Sequence, residues 1–222
     1  MKKQIVIRIA TTAALLLSGV AAFAQSGAYS SFSPYSIFGF GDISEQGTAY
    51  HKTMGGVGIA SRNNRFINSL NPAAITARDT LSVMMDFSLA QNNKIFRQGD
   101  IKSANNTFTV NDCLLTFPIF KTMTAMVGIT PFSAQGYKFA DYPDDPKMGK
   151  VGTYGYSAEG QGSVYQIVAA LGYTFFDRLS VGAEYIHYFG RFDSTYGILF
   201  TDESYQQSAD IATYKIHSDG AK

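Results

Sequence analysis

From residue 80 onward, apolar and polar side chains alternate with a period of two, and this rhythm constrains the fold more than any other feature of the chain. The clearest stretch puts Ser163, Tyr165, Ile167, Ala169, Leu171, Tyr173 and Phe175 on one face and Gly162, Val164, Gln166, Val168, Ala170, Gly172 and Thr174 on the other. A helix would scatter those positions around its circumference; a strand separates them cleanly. The same pattern predicts a first strand over 80–89, with Leu81, Val83, Met85, Phe87 and Leu89 sharing a face. Further strands are expected over 107–117, 123–129 and 179–189, and a weaker sixth begins near Tyr196. In the second, Asp112 interrupts the apolar face. The 17 Phe, 14 Tyr and 21 Gly, with no Trp, suit twisted strands better than helices.

The connections alternate in length. A polar stretch over 91–106 follows the first strand and a tight turn over 118–121 the second. About thirty residues rich in Gly, Pro and Asp follow the third, and only Phe176-Asp177-Arg178 the fourth. Long, short, long, short is the pattern of an outer-membrane β-barrel, and Tyr173, Phe175 and Phe176 beside the short turn fit an interfacial girdle. Neither face of the fourth strand carries a charge, which argues against a sandwich in water. The fold class expected is all-β: a transmembrane antiparallel β-barrel with an N-terminal luminal plug. About five or six strands are present and the smallest bacterial barrels have about eight, so the chain is expected to be the N-terminal part of a larger barrel.

Three regions follow. Residues 1–24 read as a signal peptide, with basic Lys2 and Lys3, an apolar middle and a small-x-small site at Ala22-Phe23-Ala24. Residues 25–79 do not alternate and form the expected plug, and 80–222 hold the first hairpins. Within the plug, Asn71 followed by Pro72 predicts a capped short helix to about Ala77. Gly55, Gly56, Gly58, Asn71 and Pro72 are the candidate plug pivots, chosen for backbone freedom and capping. Removing Lys2, Lys3 and Arg8 with the leader changes a formal charge of +1 to about −2, which gives no basis for a nucleic-acid partner. Cys113 is the single cysteine, so no internal disulfide forms.

The face assigned inward carries Met84, Met126, Val164, Val168 and Ile186, with Asp86 and Glu184 its only acids. These five are the candidate lumen-lining residues, and an apolar lumen favours a path for apolar ligands.

Chemistry-bearing motifs are sparse. The run Gly56-Val57-Gly58-Ile59-Ala60-Ser61 imitates a dinucleotide loop but has no strand before it. His51, His187 and His217 are too scattered for a metal site, and Asp141, Asp144 and Asp145 lack a calcium-loop spacing. No nucleophile–base arrangement or carboxylate pair on a rigid element is present, so no enzyme activity, cofactor or metal is expected.

The run 54–60, the triplet Asn71-Pro72-Ala73 with Ala74-Ile75-Thr76 behind it, and the strand that follows resemble the outer-membrane hydrophobic-compound transporter family typified by the fatty acid transporter FadL, which includes toluene transporters. The aromatic opening over 33–42 resembles its Bacteroidetes-type members. The resemblance implies a barrel of roughly fourteen strands plugged by its N-terminal segment, passing long-chain fatty acids or similar compounds inward without an energy source. It also implies a lateral exit at a kink in the third strand, here assigned to Gly128 and Pro131, which weaken pairing. The expected partners are membrane lipid, a hydrophobic small molecule and the barrel assembly machinery. The expected location is the outer membrane. The alternative reading is a structural or secretion-associated barrel whose long loops dock exported proteins.

Overall fold

The computed structural model describes residues 31–78, 82–141, 154–176, 178–200 and 208–222. The expected leader, and Asp144 and Asp145 of the third connection, lie outside the described residues. Six long strands form one antiparallel meander: β2 (Met84–Gln98), β3 (Ile101–Phe120), β4 (Met123–Asp141), β5 (Tyr154–Phe175), β6 (Leu179–Phe200) and β7 (Ser208–Ala221). A two-residue strand, β1 (Asp42–Ile43), pairs with β4 off this path. Among the described residues helix is confined to α1 (Ala49–Thr53) and two 3-10 turns, Pro34–Ile37 and Pro72–Thr76. Among the described residues the sheet does not close on itself.

The strands are longer than the alternation indicates. β5 and β6 each run 22 residues, about 70 Å at ~3.3 Å per residue. The polar stretch over 91–106, expected as a loop, is instead a hairpin: β2 and β3 pair from Met84↔Thr116 to Gln98↔Ile101, and Gly99 turns the chain at a left-handed φ of 58°. Its far half is mostly polar, with Ile95 and Phe108 exposed, and is held by the backbone ladder, the Lys94–Asp42 ion pair and the Phe32–Phe96 ring contact, so little hydrophobic period remains to read.

Two irregularities set the inner face. A register shift between Ser88 and Leu89 lets both Asn111 and Asp112 reach the inside. The apolar row Phe108, Val110, Leu114 therefore changes face at the bulge, and Asp112 lies on the inner face with Leu114. In β4 the register shifts between Pro131 and Ser133, and β3 and β4 remain paired only from Cys113↔Ile129 down to the Phe120↔Met123 turn. Beyond that point the N-terminal segment takes the free edge of β4. Asp42 and Ile43 pair with Ala134 and Ser133, Ser44 N–H donates to the Phe132 carbonyl at 2.8 Å, and Ser33 N–H to the Gly136 carbonyl at 2.7 Å. Gly41, at φ 77°, passes so close that a Cβ would lie 2.4 Å from the Ala134 oxygen.

The core forms where this segment covers the sheet. Ile67 and Ile75 pack on Leu114, Met126, Val168 and Ala170, with Met84 and Ile186 at the margin.

Candidate functional site

The two faces of the sheet differ in kind. Outward from β2 project Met85, Phe87 and Leu89, each about half exposed, with Val83 just before the strand on the same side. Ile167, Leu171, Tyr173 and Phe175 of β5 and Leu179, Val181 and Tyr185 of β6 continue the row across the same surface. Farther from the short turns the outer positions become Gln91 and Asn93 in β2, Gln161 and Glu159 in β5, and Arg191 and Asp193 in β6. Along β5 and β6 the apolar band is therefore about ten residues tall, the length a tilted strand needs to cross bilayer hydrocarbon, while at the β6–β7 edge the same face carries His187, His217 and Asp219. Phe120, Phe175 and the 93% exposed Phe176 mark its edge at the short turns.

The inner face mixes apolar with polar groups. Thr116, Thr124, Thr130, Ser133, Gln135, Gln166, Asp112 and Glu184 are all buried there. The N-terminal segment lies along it from one end to the other, held at three levels. At the far end it completes β4 as described, and Lys94 of β2 reaches Asp42 at 3.2 Å. At mid-height, Asp112 Oδ2 accepts the N–H of Ala49 at the start of α1 at 3.1 Å and also hydrogen bonds from Asn111 Nδ2 at 2.6 Å and from the Ser88 hydroxyl. A carboxylate at those unpaired first-turn N–H groups is favourably placed. Lys52 Nζ donates to Asn111 Oδ1 from the same helix, and burial lowers the lysine pKa while Asp112 and Glu45 raise it.

His51 is fully buried beside this latch. Its Nδ1 accepts the Thr48 N–H at 3.3 Å and lies 3.0 Å from the Thr48 hydroxyl, while Gly58 packs directly against the ring. Burial holds its pKa below the ordinary imidazole value, with Asp112 acting in the opposite sense. Near the short turns, the 3-10 turn Pro72–Thr76 rests on Gly172 and Gly182, which face each other across β5 and β6. Asn71 Oδ1 caps that turn by accepting the Ala73 N–H at 3.0 Å.

The candidate residues from the sequence fall into these parts. Gly55 and Gly56, both at positive φ, end α1, and the Gly56 N–H donates to the His51 carbonyl at 2.8 Å. Asn71 Nδ2 donates to the Ile59 carbonyl at 2.9 Å and Asn68 Nδ2 to the Gly58 carbonyl at 2.7 Å, so the glycine run and the Asn-Pro turn form one stapled unit. Met84, Met126, Val164, Val168 and Ile186 all lie on the inner face, where Met126, Val164 and Val168 are buried. Gly128 sits opposite Leu114 in the last paired stretch of β3 and β4, and Pro131 immediately precedes the β4 register shift. The sequence reading did not find Asp112, Ser88, Asn111 and Lys52 as a group. The capping partner of Asp112 is 63 residues away, and no local spacing encodes it. Among the described residues no cluster of three His, Cys, Asp or Glu could hold a metal.

An antiparallel sheet with an apolar exterior about ten residues tall on β5 and β6 and a covered interior of mixed apolar and polar groups defines the structural class. Within it, a family profile, BamG, matches residues 1–218, and the chain belongs to that family, which is that of a barrel assembly machinery component. Neither the curated proteins nor the solved structures contain a match.

The family match overturns the resemblance to FadL-type transporters and, with it, the transport of fatty acids or other hydrophobic compounds. The alternative of a docking barrel for exported proteins falls as well. The structure supplies the physical reason for the misreading. The glycine run and the Asn-Pro-Ala triplet pack against His51 and on Gly172 and Gly182. Any segment lying flat on a sheet's inner face needs such small and capped elements, so they mark the packing and not the cargo. The apolar inner residues are roofed by Ile67 and Ile75 and interspersed with buried polar groups, and they do not constitute a greasy conduit.

Proposed function

We propose that this chain belongs to an integral outer-membrane subunit that acts in the assembly of outer-membrane proteins, without catalysis of its own. In this reading residues 1–24 are an export signal, 25–79 a plug, and 80–222 strands of a barrel whose apolar belt meets lipid. The match to the family over residues 1–218 carries the assembly role. The outward band of half-exposed aliphatic and aromatic side chains supports the membrane placement, because an apolar surface of that extent on a sheet in water would drive association.

Mechanistically, the covered inner face favours a rigid scaffold over a conduit. The plug is tied to β4 by backbone pairing, to β2 and β3 by Asp112 and Lys94, and to β5 and β6 by the glycine slot. A barrel wall fixed in this way can hold its periplasmic and outer rims in a constant relation to neighbouring subunits. The test is affinity purification of the tagged full-length protein from detergent-solubilised outer membranes. Co-purification of the central barrel-inserting subunit in constant ratio is expected; purification without any machinery subunit removes the assignment.

A further inference from the structure

At the short-turn end of the inner face, an open cavity of about 660 Å³ is lined by Arg62, Arg65 and Arg78 together with Asn63, Phe66 and Thr76, and among the described residues no acid lines it. Three arginines lining one recess carry like charges, and an anion shared among them offsets their repulsion. Here the recess is built. The Arg62 guanidinium is fixed by two hydroxyls, Nη1 donating to Ser180 Oγ at 2.8 Å and Nη2 to Thr76 Oγ1 at 3.1 Å. Arg78 Nη2 donates to the Ser82 carbonyl, while its Nη1 is buried and has no acceptor among the described residues. One wall is aromatic and rigid, because Phe66 stacks on Tyr50 with ring centroids 4.0 Å apart and planes 7° from parallel.

We infer that this Arg62–Arg65–Arg78 recess is a binding site for carboxylates on an acidic, extended segment of another protein of the assembly machinery. The inference rests on the proposed assembly role for the identity of the partner, but its chemistry is independent of that role. Planar, forked guanidinium donors match carboxylates, and an apolar ring beside them suits a peptide better than a bare ion. The position argues against the lipid phosphate of the surrounding bilayer. Arg62 is anchored to Ser180, whose side chain points to the inner face alongside Gly182, whereas the lipid-facing residues are on the opposite side of the same strands. In outer-membrane barrels the short turns face the periplasm, where soluble domains of partner subunits are accessible.

The test uses the purified full-length protein in detergent and a fluorescein-labelled peptide of alternating Glu and Ser, with a Gln and Ser peptide as the uncharged control. Fluorescence anisotropy should report binding of the Glu peptide only, weakening as salt rises through about 0.1 M, where charges become screened within ~10 Å. Arg65→Gln, which leaves the Arg62 and Arg78 anchors in place, should weaken binding by about tenfold, and Arg65→Lys by less, since a lysine keeps the charge but loses the fork. Arg97→Gln, on the far hairpin, should leave it unchanged. Equal binding of both peptides, or no effect of Arg65→Gln, overturns the site. Displacement of the peptide by inorganic phosphate at equal concentration, or tighter binding to phosphatidylglycerol vesicles than to the peptide, assigns the recess to phosphate and also overturns it. A protein that binds no acidic peptide but still co-purifies with the machinery loses this site and keeps the assembly role; the reverse pair of results does the opposite.

Discussion

Gly172 and Gly182 are register partners across β5 and β6, and together they form the seat of the 3-10 turn Pro72–Thr76. A Cβ on Gly182 would stand 2.4 Å from the Pro72 carbonyl carbon and 2.5 Å from the Ala73 nitrogen, and one on Gly172 would stand 2.8 Å from Thr76 Cγ2. Backbone cannot yield as a flexible side chain can. The plug's position on the sheet therefore depends on the absence of two side chains.

Gly182→Val should lift the 3-10 turn while leaving the β5–β6 ladder paired. Overpacking of this kind costs about 1–3 kcal/mol. Hydrogen exchange should show faster amides across residues 67–77 and little change in β5 and β6; unchanged protection over 67–77 would show that the turn is not seated on these glycines.

Replacing Asp112 tests the mid-height latch. In Asp112→Ala the Ala49 N–H and the Asn111 amide lose their shared acceptor, and a buried donor left unpaired costs about 1–3 kcal/mol. Limited proteolysis should cut near α1 sooner in this variant than in the parent, with Asp112→Asn in between because its amide oxygen still accepts. Identical digestion of all three proteins would contradict the latch.

His51 gives the latch a pH dependence with a definite sign. Its pKa in the folded protein is depressed by burial, so the unfolded segment, with an imidazole pKa of about 6.5, binds protons more readily than the docked one. The contribution to docking is therefore complete above about pH 6.5 and is lost as pH falls through that value toward the lower folded pKa. Protection of residues 46–58 should decrease between neutral and mildly acidic pH, and His51→Gln should abolish that decrease. A decrease on raising the pH instead would reverse the assignment.

The outer band makes a depth-dependent prediction. Leu171→Lys, in the middle of the band, should cost about 2–4 kcal/mol of stability in the membrane, while Gln161→Lys, farther along the same face, should cost about 0–1. Heat modifiability on gels after outer-membrane extraction reads both. Equal tolerance of the two lysines would indicate that lipid does not contact this face.

What the sequence made legible follows from where hydrophobic contrast exists. β5 and the lower halves of β2, β4 and β6 alternate because one face meets the apolar exterior and the other the packed interior, so their periodicity survives in the letters. The far halves, such as Lys94 to Arg97 against Lys102 to Asn105, are held by backbone pairing and by contacts to the distant residues Phe32 and Asp42, and read as loop. The Asn71 cap was readable because a cap is local. Asp112 was not, since it shares the inner face with Leu114 and Thr116 and meets a helix start distant in sequence. The glycine run and Asn-Pro-Ala triplet misdirected the family assignment, as their job here is close packing, which many plugged sheets require.

The most direct test of the assembly role is depletion of the protein in its native host followed by quantitative proteomics of the outer membrane. The account predicts a broad fall in integral β-barrel proteins, with their unfolded forms accumulating in the periplasm and fatty acid uptake declining only in proportion to that fall. A normal outer-membrane proteome with a selective loss of one compound's uptake would contradict it.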